Sequence, residues 1–138
     1  MHRIGIDIGG TQLRIALVDE AYRIVEVYKT ANDRTRDAEA NCLPLVDWIR
    51  AKQVAGFELA GIGIGSPGPL DLRAGKVLNP PNLVGWDGFE IVRFFREATG
   101  LPTFLNNDAN VAGLSEALLG GGKGYESVIF VGLSTGFG

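Results

Sequence analysis

The sequence predicts an α/β fold built on a mixed sheet. Three observations carry that reading. Three apolar-alternating runs joined by short turns open the chain. Helical and strand patterns then alternate, and the glycine clusters stand mostly beside β-rich runs. The order that follows is β-β-β-α-β-(hairpin)-α-β-α-β.

Arg3 to Ile8 is the first strand, with Ile4, Ile6 and Ile8 on one face, and Gly9-Gly10 breaks it. Leu13 to Val18 is the second, with Leu13, Ile15 and Leu17 in step, and Ile24 to Thr30 is the third. The short connections between them favour an antiparallel meander. A helix is expected over Thr35 to Val54, with Cys42, Leu45, Val46 and Ile49 on one side and Gly56 at its end. Pro44 lies inside it, and an interior proline costs about 3 kcal/mol, so a kink or a true start near Ala40 is expected.

Leu59 to Ser66 is a glycine-alternating strand, and Pro67 to Trp86 is rich in turn residues, with Lys76-Val77-Leu78 in a hairpin turned at Arg73-Ala74-Gly75. The second helix is expected to open on a capping box, Asp87 as N-cap and Glu90 three residues on. Phe89, Val92, Phe95 and Ala98 are its expected buried stripe, and Gly100 and Pro102 end it. Thr103 to Leu105 is a short strand. Asn106-Asn107-Asp108 then starts a third helix that runs to about Leu119, with Ala109, Ala112, Gly113 and Ala117 allowing close packing. Gly120 to Gly124 is a loop, Ser127 to Leu133 a last strand, and Ser134 to Gly138 a polar-glycine turn. That last strand repeats the strand-then-turn arrangement of Ile4 to Thr11. It marks a division into residues 1–126 and the first strand of a second lobe at 127–138.

The 138 residues carry 13 basic and 16 acidic side chains, a net charge of −3, so no basic surface asks for a nucleic acid. No apolar run approaches the ~20 residues that cross a bilayer, and the N-terminus has no signal-peptide pattern, so the cytosol is expected. One cysteine, Cys42, excludes an intrachain disulfide and a Cys-based zinc site in this chain. Cys42 reads as a small core residue, and His2, the one histidine, as a surface residue. Trp48 and Trp86 are each open between core and ligand. Gly accounts for 20 residues, about twice the usual ~7%.

Four clusters carry possible chemistry. In Asp7-Ile8-Gly9-Gly10-Thr11 a strand-end carboxylate can hold a divalent cation, and two glycines let backbone N–H groups reach phosphate oxygens. A plain hairpin turn has the same composition. Ser66-Pro67-Gly68-Pro69 and Asn79-Pro80-Pro81-Asn82-Leu83 make stiff loops. Asn82 offers an amide that both donates and accepts, though stiff turn chemistry alone explains these residues better. In Asn106-Asn107-Asp108-Ala109-Asn110 the acid is an N-cap on the simpler reading, and on the other a general base with Asn107 orienting the same hydroxyl. Leu133-Ser134-Thr135-Gly136-Phe137-Gly138 is a second phosphate loop or a frayed terminus.

Taken together these clusters resemble, in order and spacing, the N-terminal part of ROK-family proteins, a group of bacterial sugar kinases and sugar-responsive repressors, and within it the glucokinases. The resemblance covers essentially the whole chain, anchored on Asp7 to Thr11, Gly65 to Pro69, Leu78 to Leu83 and Asn107 to Asn110. It implies an actin-like, ribonuclease-H-like ATPase lobe, with ATP and sugar held between two lobes. By the resemblance, Asp7, Gly9, Gly10 and Thr11 form the first phosphate segment and Thr135 and Gly136 belong to the second. Asp7 holds magnesium through water, and Asp108 is the catalytic base that deprotonates a sugar 6-hydroxyl attacking the γ-phosphate. Gly68, Asn82, Asn107 and Asp108 meet the sugar.

The chain has Gln12 where many kinases of the family carry Lys, which removes a cation near the phosphates. The resemblance also places the zinc cluster, further sugar contacts and the adenosine pocket beyond these residues. This polypeptide alone is therefore expected to have little or no kinase activity, and zinc belongs only to the intact protein. The apolar run Val128 to Leu133, an unpaired edge, is expected to drive self-association, a swapped contact or a disordered tail, with a homodimer through exposed edges as the expected assembly. A non-catalytic sugar-sensing effector domain of a ROK repressor is the alternative. Arg3 already begins the first strand, so no helix-turn-helix is expected ahead of it. An actin-like ATPase of another kind leaves the Pro-Gly-Pro and Asn-Pro-Pro-Asn segments without a role.

Overall fold

Alternation in the first strands decides which face of the sheet is buried. Ile4, Ile6 and Ile8 stand opposite Leu17, Ile15 and Leu13, and all six are buried. The intervening residues, Arg3, Gly5 and Asp7 against Val18, Ala16 and Arg14, face the other way. Pleating by two makes this division automatic once one face has a cover.

A computed structural model describes residues 1–133. In order these form β1 (His2–Ile8), β2 (Gln12–Val18), β3 (Ile24–Ala31), α1 (Ala38–Val54), β4 (Leu59–Ser66), β5 (Leu70–Asp71), β6 (Lys76–Val77), α2 (Ile91–Thr99), β7 (Thr103–Asn107) and α3 (Asp108–Leu118). The main sheet runs β3-β2-β1-β4-β7. The first three strands are antiparallel neighbours, and β4 and β7 add in parallel to β1. β5 and β6 form a separate hairpin. The meander and the helix–strand alternation are thus as the sequence predicts.

Helices α1 and α2 supply the cover. Cys42, Leu45, Val46 and Ile49 from α1 and Ile91 and Phe95 from α2 join the strand isoleucines and leucines in one buried core. Burial pushes the Cys42 thiol well above its ordinary value of 9.0. Asp37 caps α1, its Oδ1 accepting from the Ala40 N–H at 2.8 Å. The helix starts at Ala38, inside the expected range and ahead of the expected Ala40 start, and it runs on through Pro44. Helix α3 sits elsewhere: a Cβ added at Gly65, on the face away from the core, would meet Val111 of α3 at 3.8 Å.

Three expectations need correction. Asp87 and Glu90 form no capping box. The helix begins at Ile91, Glu90 stands at its N-cap without a side-chain bond, and the Asp87 carboxylate instead accepts from the Asn79 N–H at 2.6 Å. Asn79 has φ of 35°, and its N–H needs a partner from outside regular structure. The fully buried positions of α2 are accordingly Ile91, Phe95 and Thr99, with Phe89, Val92 and Ala98 partly buried. Ser127 to Leu133 carries no strand beyond a single bridge at Leu133. A strand is held by its ladder, and among the described residues this run takes no place in the paired order of the main sheet. The expected Ser134 to Gly138 turn, with Thr135 and Gly136, lies outside the described residues.

Candidate functional site

Parallel strands end together, so whatever follows β1, β4 and β7 gathers at one edge of the sheet. Register makes this concrete. Arg14, Asp7, Gly65 and Asn106 stand side by side on β2, β1, β4 and β7. Neighbouring strands lie about 4.8 Å apart, which puts Asp7 and Asn106 on the order of 10 Å from each other. A Cβ at Gly65 would lie 3.7 Å from the Asp108 Cα. The Asp7 carboxylate and the Asn107-Asp108 corner therefore share one edge, separated by a glycine.

The β1–β2 turn is built around backbone contacts. The Gly9 N–H donates to the Gln12 carbonyl at 3.0 Å. A Cβ on Gly9 would come within 2.7 Å of that same oxygen, so the hairpin itself requires glycine here. At Gly10 a Cβ would lie 3.1 Å from the Asn82 carbonyl oxygen, which brings the Asn82 loop against the turn. Among the described residues the N–H groups of Gly10 and Thr11 find no acceptor. Two adjacent unpaired donors at a strand end can take an anion. A magnesium ion held chiefly by phosphate oxygens and water needs only one or two protein carboxylates, and Asp7 is placed to be one. No group of three or more metal-ligating side chains occurs among the described residues.

At the other end of this edge, Asn107 ends β7 and caps α3, its Oδ1 accepting from the Ala109 N–H at 3.0 Å. The N-cap position thus belongs to Asn107 and not to Asp108. Asp108 is exposed in the first turn and uses Oδ1 to accept from the same N–H at 2.8 Å, while Oδ2 has no partner among the described residues. The Asn107 Nδ2 points at the Gly68 loop, 3.7 Å from where a Gly68 Cβ would be. Gly68 precedes Pro69 through a cis peptide bond. Gly68, Asn107 and Asp108 are thus brought together, as are Gly9, Gly10, Thr11 and Asn82.

The sequence reading passed over Asn32. Its N–H donates to the Thr11 carbonyl at 3.0 Å, its Nδ2 to the Gly9 carbonyl at 2.8 Å, and its Oδ1 accepts from the Trp86 indole at 3.3 Å. One buried amide thereby fixes the glycine turn from behind and ties it to the segment that carries Asn82. Trp86 is fully buried, a core residue with its polar end used in that tie. Trp48 is half-buried, with the Lys52 ammonium 4.7 Å from its ring centre. An asparagine in a strand-to-helix connection looks like an ordinary turn residue. Only an unusually polar partner for a buried tryptophan would have pointed to it.

The model of the ROK family matches residues 3–138. A glucokinase from Streptomyces coelicolor is 33% identical over 98% of the chain, which spans 41% of that relative. The xylose repressor of Bacillus subtilis is 26% identical over 99% of the chain, which spans 36% of that protein. Among solved structures, a ROK hexokinase from Thermus thermophilus is 38% identical, with a TM-score of 0.87 over 100% of this chain and 45% of its own. A ROK glucokinase from Streptomyces griseus, solved with glucose and AMPPNP, is 35% identical with a TM-score of 0.79, and the chain covers 43% of it. The chain spans less than half the length of each of these proteins.

Proposed function

This chain belongs to the ROK family, and from that premise we propose that it is the N-terminal part of an ATP-dependent hexose kinase acting on the 6-hydroxyl of glucose or a related sugar. The observation that carries the reading is the shared edge: an anion-ready glycine turn at one end and a carboxylate with a free oxygen at the other, about two strand spacings apart. Phosphoryl transfer asks the protein mainly for positioning and charge neutralisation. The N–H groups of Gly10 and Thr11 hold phosphate oxygens. Asp7 would hold magnesium through water, and the ion would offset phosphate charge. Asn107 and the Gly68 loop orient the sugar, Asn82 adds to it from its place against the glycine turn, and Asp108 accepts the proton of the attacking hydroxyl. A neutral, hydroxyl-rich hexose suits amides and one carboxylate.

The test is ATP-dependent phosphorylation of glucose by the intact protein and its Asp108→Asn variant. A positioned general base contributes about 10²–10⁴-fold, so turnover falls by at least ~100-fold while glucose still binds. Unchanged turnover in the variant defeats the role of Asp108. The 138-residue chain alone presents one wall of the cleft and is expected to turn over far more slowly. The similarity to a xylose repressor supports a second reading, a sugar-sensing domain without catalysis. Glucose binding by the intact wild-type protein with no phosphorylated product would select it.

A further inference from the structure

We propose that Asn106 is a positioning residue for phosphoryl transfer: its amide oxygen braces the strand-to-helix corner that carries Asp108 and so sets where the free carboxylate oxygen points. This rests on the kinase reading above, in which Asp108 is the base, and adds to it the group that aims that base. Asn106 is the last residue but one of β7. It stands beside Gly65 of β4, so the two share a face of the sheet. A Cβ at Gly65 would lie 3.7 Å from the Asp108 Cα and 3.8 Å from Val111, so the first turn of α3 lies over this same face. The Asn106 side chain reaches into that turn. Its Oδ1 accepts from the Asn107 N–H at 2.8 Å and from the Asn110 Nδ2 at 3.2 Å. One oxygen thereby joins the end of the strand to the first turn of the helix, and Asp108 lies inside the bracket.

Asp108 has little else to fix it. Its Oδ1 shares the Ala109 N–H with the Asn107 cap, a single donor divided between two acceptors. It makes no ion pair among the described residues, and it is exposed. The carboxylate is therefore aimed by the backbone of residues 107–109, and its Oδ2 points wherever that corner turns it. Asn106 holds the corner from both ends, at the Asn107 N–H and through Asn110 one turn further on. A base has to meet its proton within hydrogen-bond reach, and a displacement of ~1 Å can cost on the order of 100-fold in rate. A brace of this kind acts on turnover more than on binding, because the sugar is oriented by Asn107 and the Gly68 loop in either case.

Glucose phosphorylation by the intact protein tests this, with kcat and the glucose KM read separately. Asn106→Ala is expected to lower kcat at least about tenfold and to move KM by less than about threefold. Asn110→Ala is expected to give a smaller fall, and none on top of Asn106→Ala, because it acts only through that oxygen. In an Asp108→Asn background, Asn106→Ala is expected to change kcat by less than about twofold, because no base is left to aim. The lost bonds are exposed, so each melting temperature is expected within about 4 °C of wild type. Wild-type kcat in Asn106→Ala overturns the proposal. So does an equal fall in the Asp108→Asn background, which marks a structural effect, and so does a melting temperature lowered by about 10 °C or more. Wild-type protein that phosphorylates glucose but is indifferent to Asp108→Asn overturns it while leaving the kinase reading in place. Wild-type protein that gives no phosphorylated product removes the kinase reading itself, and this proposal with it.

Discussion

Asn32 does with one side chain what the glycine turn cannot do for itself. A turn rich in glycine loses more backbone freedom on ordering than any other, and here the Asn32 side chain holds the Gly9 carbonyl while its backbone N–H holds that of Thr11. Asn32→Ala leaves the Gly9 carbonyl and the Trp86 indole without their partner. A buried polar group left unsatisfied costs about 1–3 kcal/mol. The expected result is a loss of that order in urea unfolding, with weaker AMPPNP binding by the intact protein. Asn32→Asp keeps an acceptor for the indole but loses the donor to Gly9, so it restores stability only in part. If Asn32→Ala unfolds at the wild-type urea concentration, the tie is not a significant support. The glycines themselves were legible in the sequence, and so was their ambiguity. Gly9 is required by its own hairpin whether or not an anion is bound, so its identity alone never distinguished the two readings.

Among the elements, legibility followed the strength of the local pattern. Ile4, Ile6 and Ile8 alternate without a break, and β1 forms as read. The end of α2 was equally clear: Gly100 takes φ of 73° and its N–H closes on the Arg96 carbonyl at 2.9 Å. A Cβ there would meet nothing within 4 Å, so Gly100→Ala isolates the cost of left-handed backbone, about 1 kcal/mol in denaturant unfolding. Gly100→Asn should cost less. Equal stability of all three proteins would show that the helix end rearranges. The start of α2 misled because Asp87 and Glu90 have the right spacing and the wrong surroundings. A long-range demand, the Asn79 N–H, takes the carboxylate that a local rule assigns to the helix. Asn107 misled in a similar way. It is both the last residue of β7 and the cap of α3, and sequence pattern has no means of giving one residue to two elements.

At the scale of the whole molecule, the sheet is covered on one face and largely bare on the other. The core side joins α1 and α2, whereas the opposite side shows Gly5 and Gly63 between Ala16, Val27 and Phe104, the last 70% exposed. Helix α3 buries none of its residues. Beyond it, Ile129 and Leu133 are 89% and 76% exposed, although Phe130 reaches Gly113 closely enough that a Cβ there would lie 3.0 Å away. The sequence showed the apolar run at Val128 to Leu133 and could not show that it lacks a ladder, because pairing is a property of what lies alongside. The site is legible to the same degree: the motifs name Asp7, Gly68, Asn107 and Asp108, while only the register of three strands brings them to one edge. An open apolar face favours association. The 138-residue chain is therefore expected to sediment as a species whose average mass rises with concentration, and Phe104→Lys with Ile129→Lys is expected to shift it toward monomer without changing its circular dichroism. Those two residues are chosen because both are exposed and neither belongs to the core. A wild-type chain that stays monomeric at every concentration would mean that the bare face, with its glycine floor, presents too little apolar surface to hold a second copy.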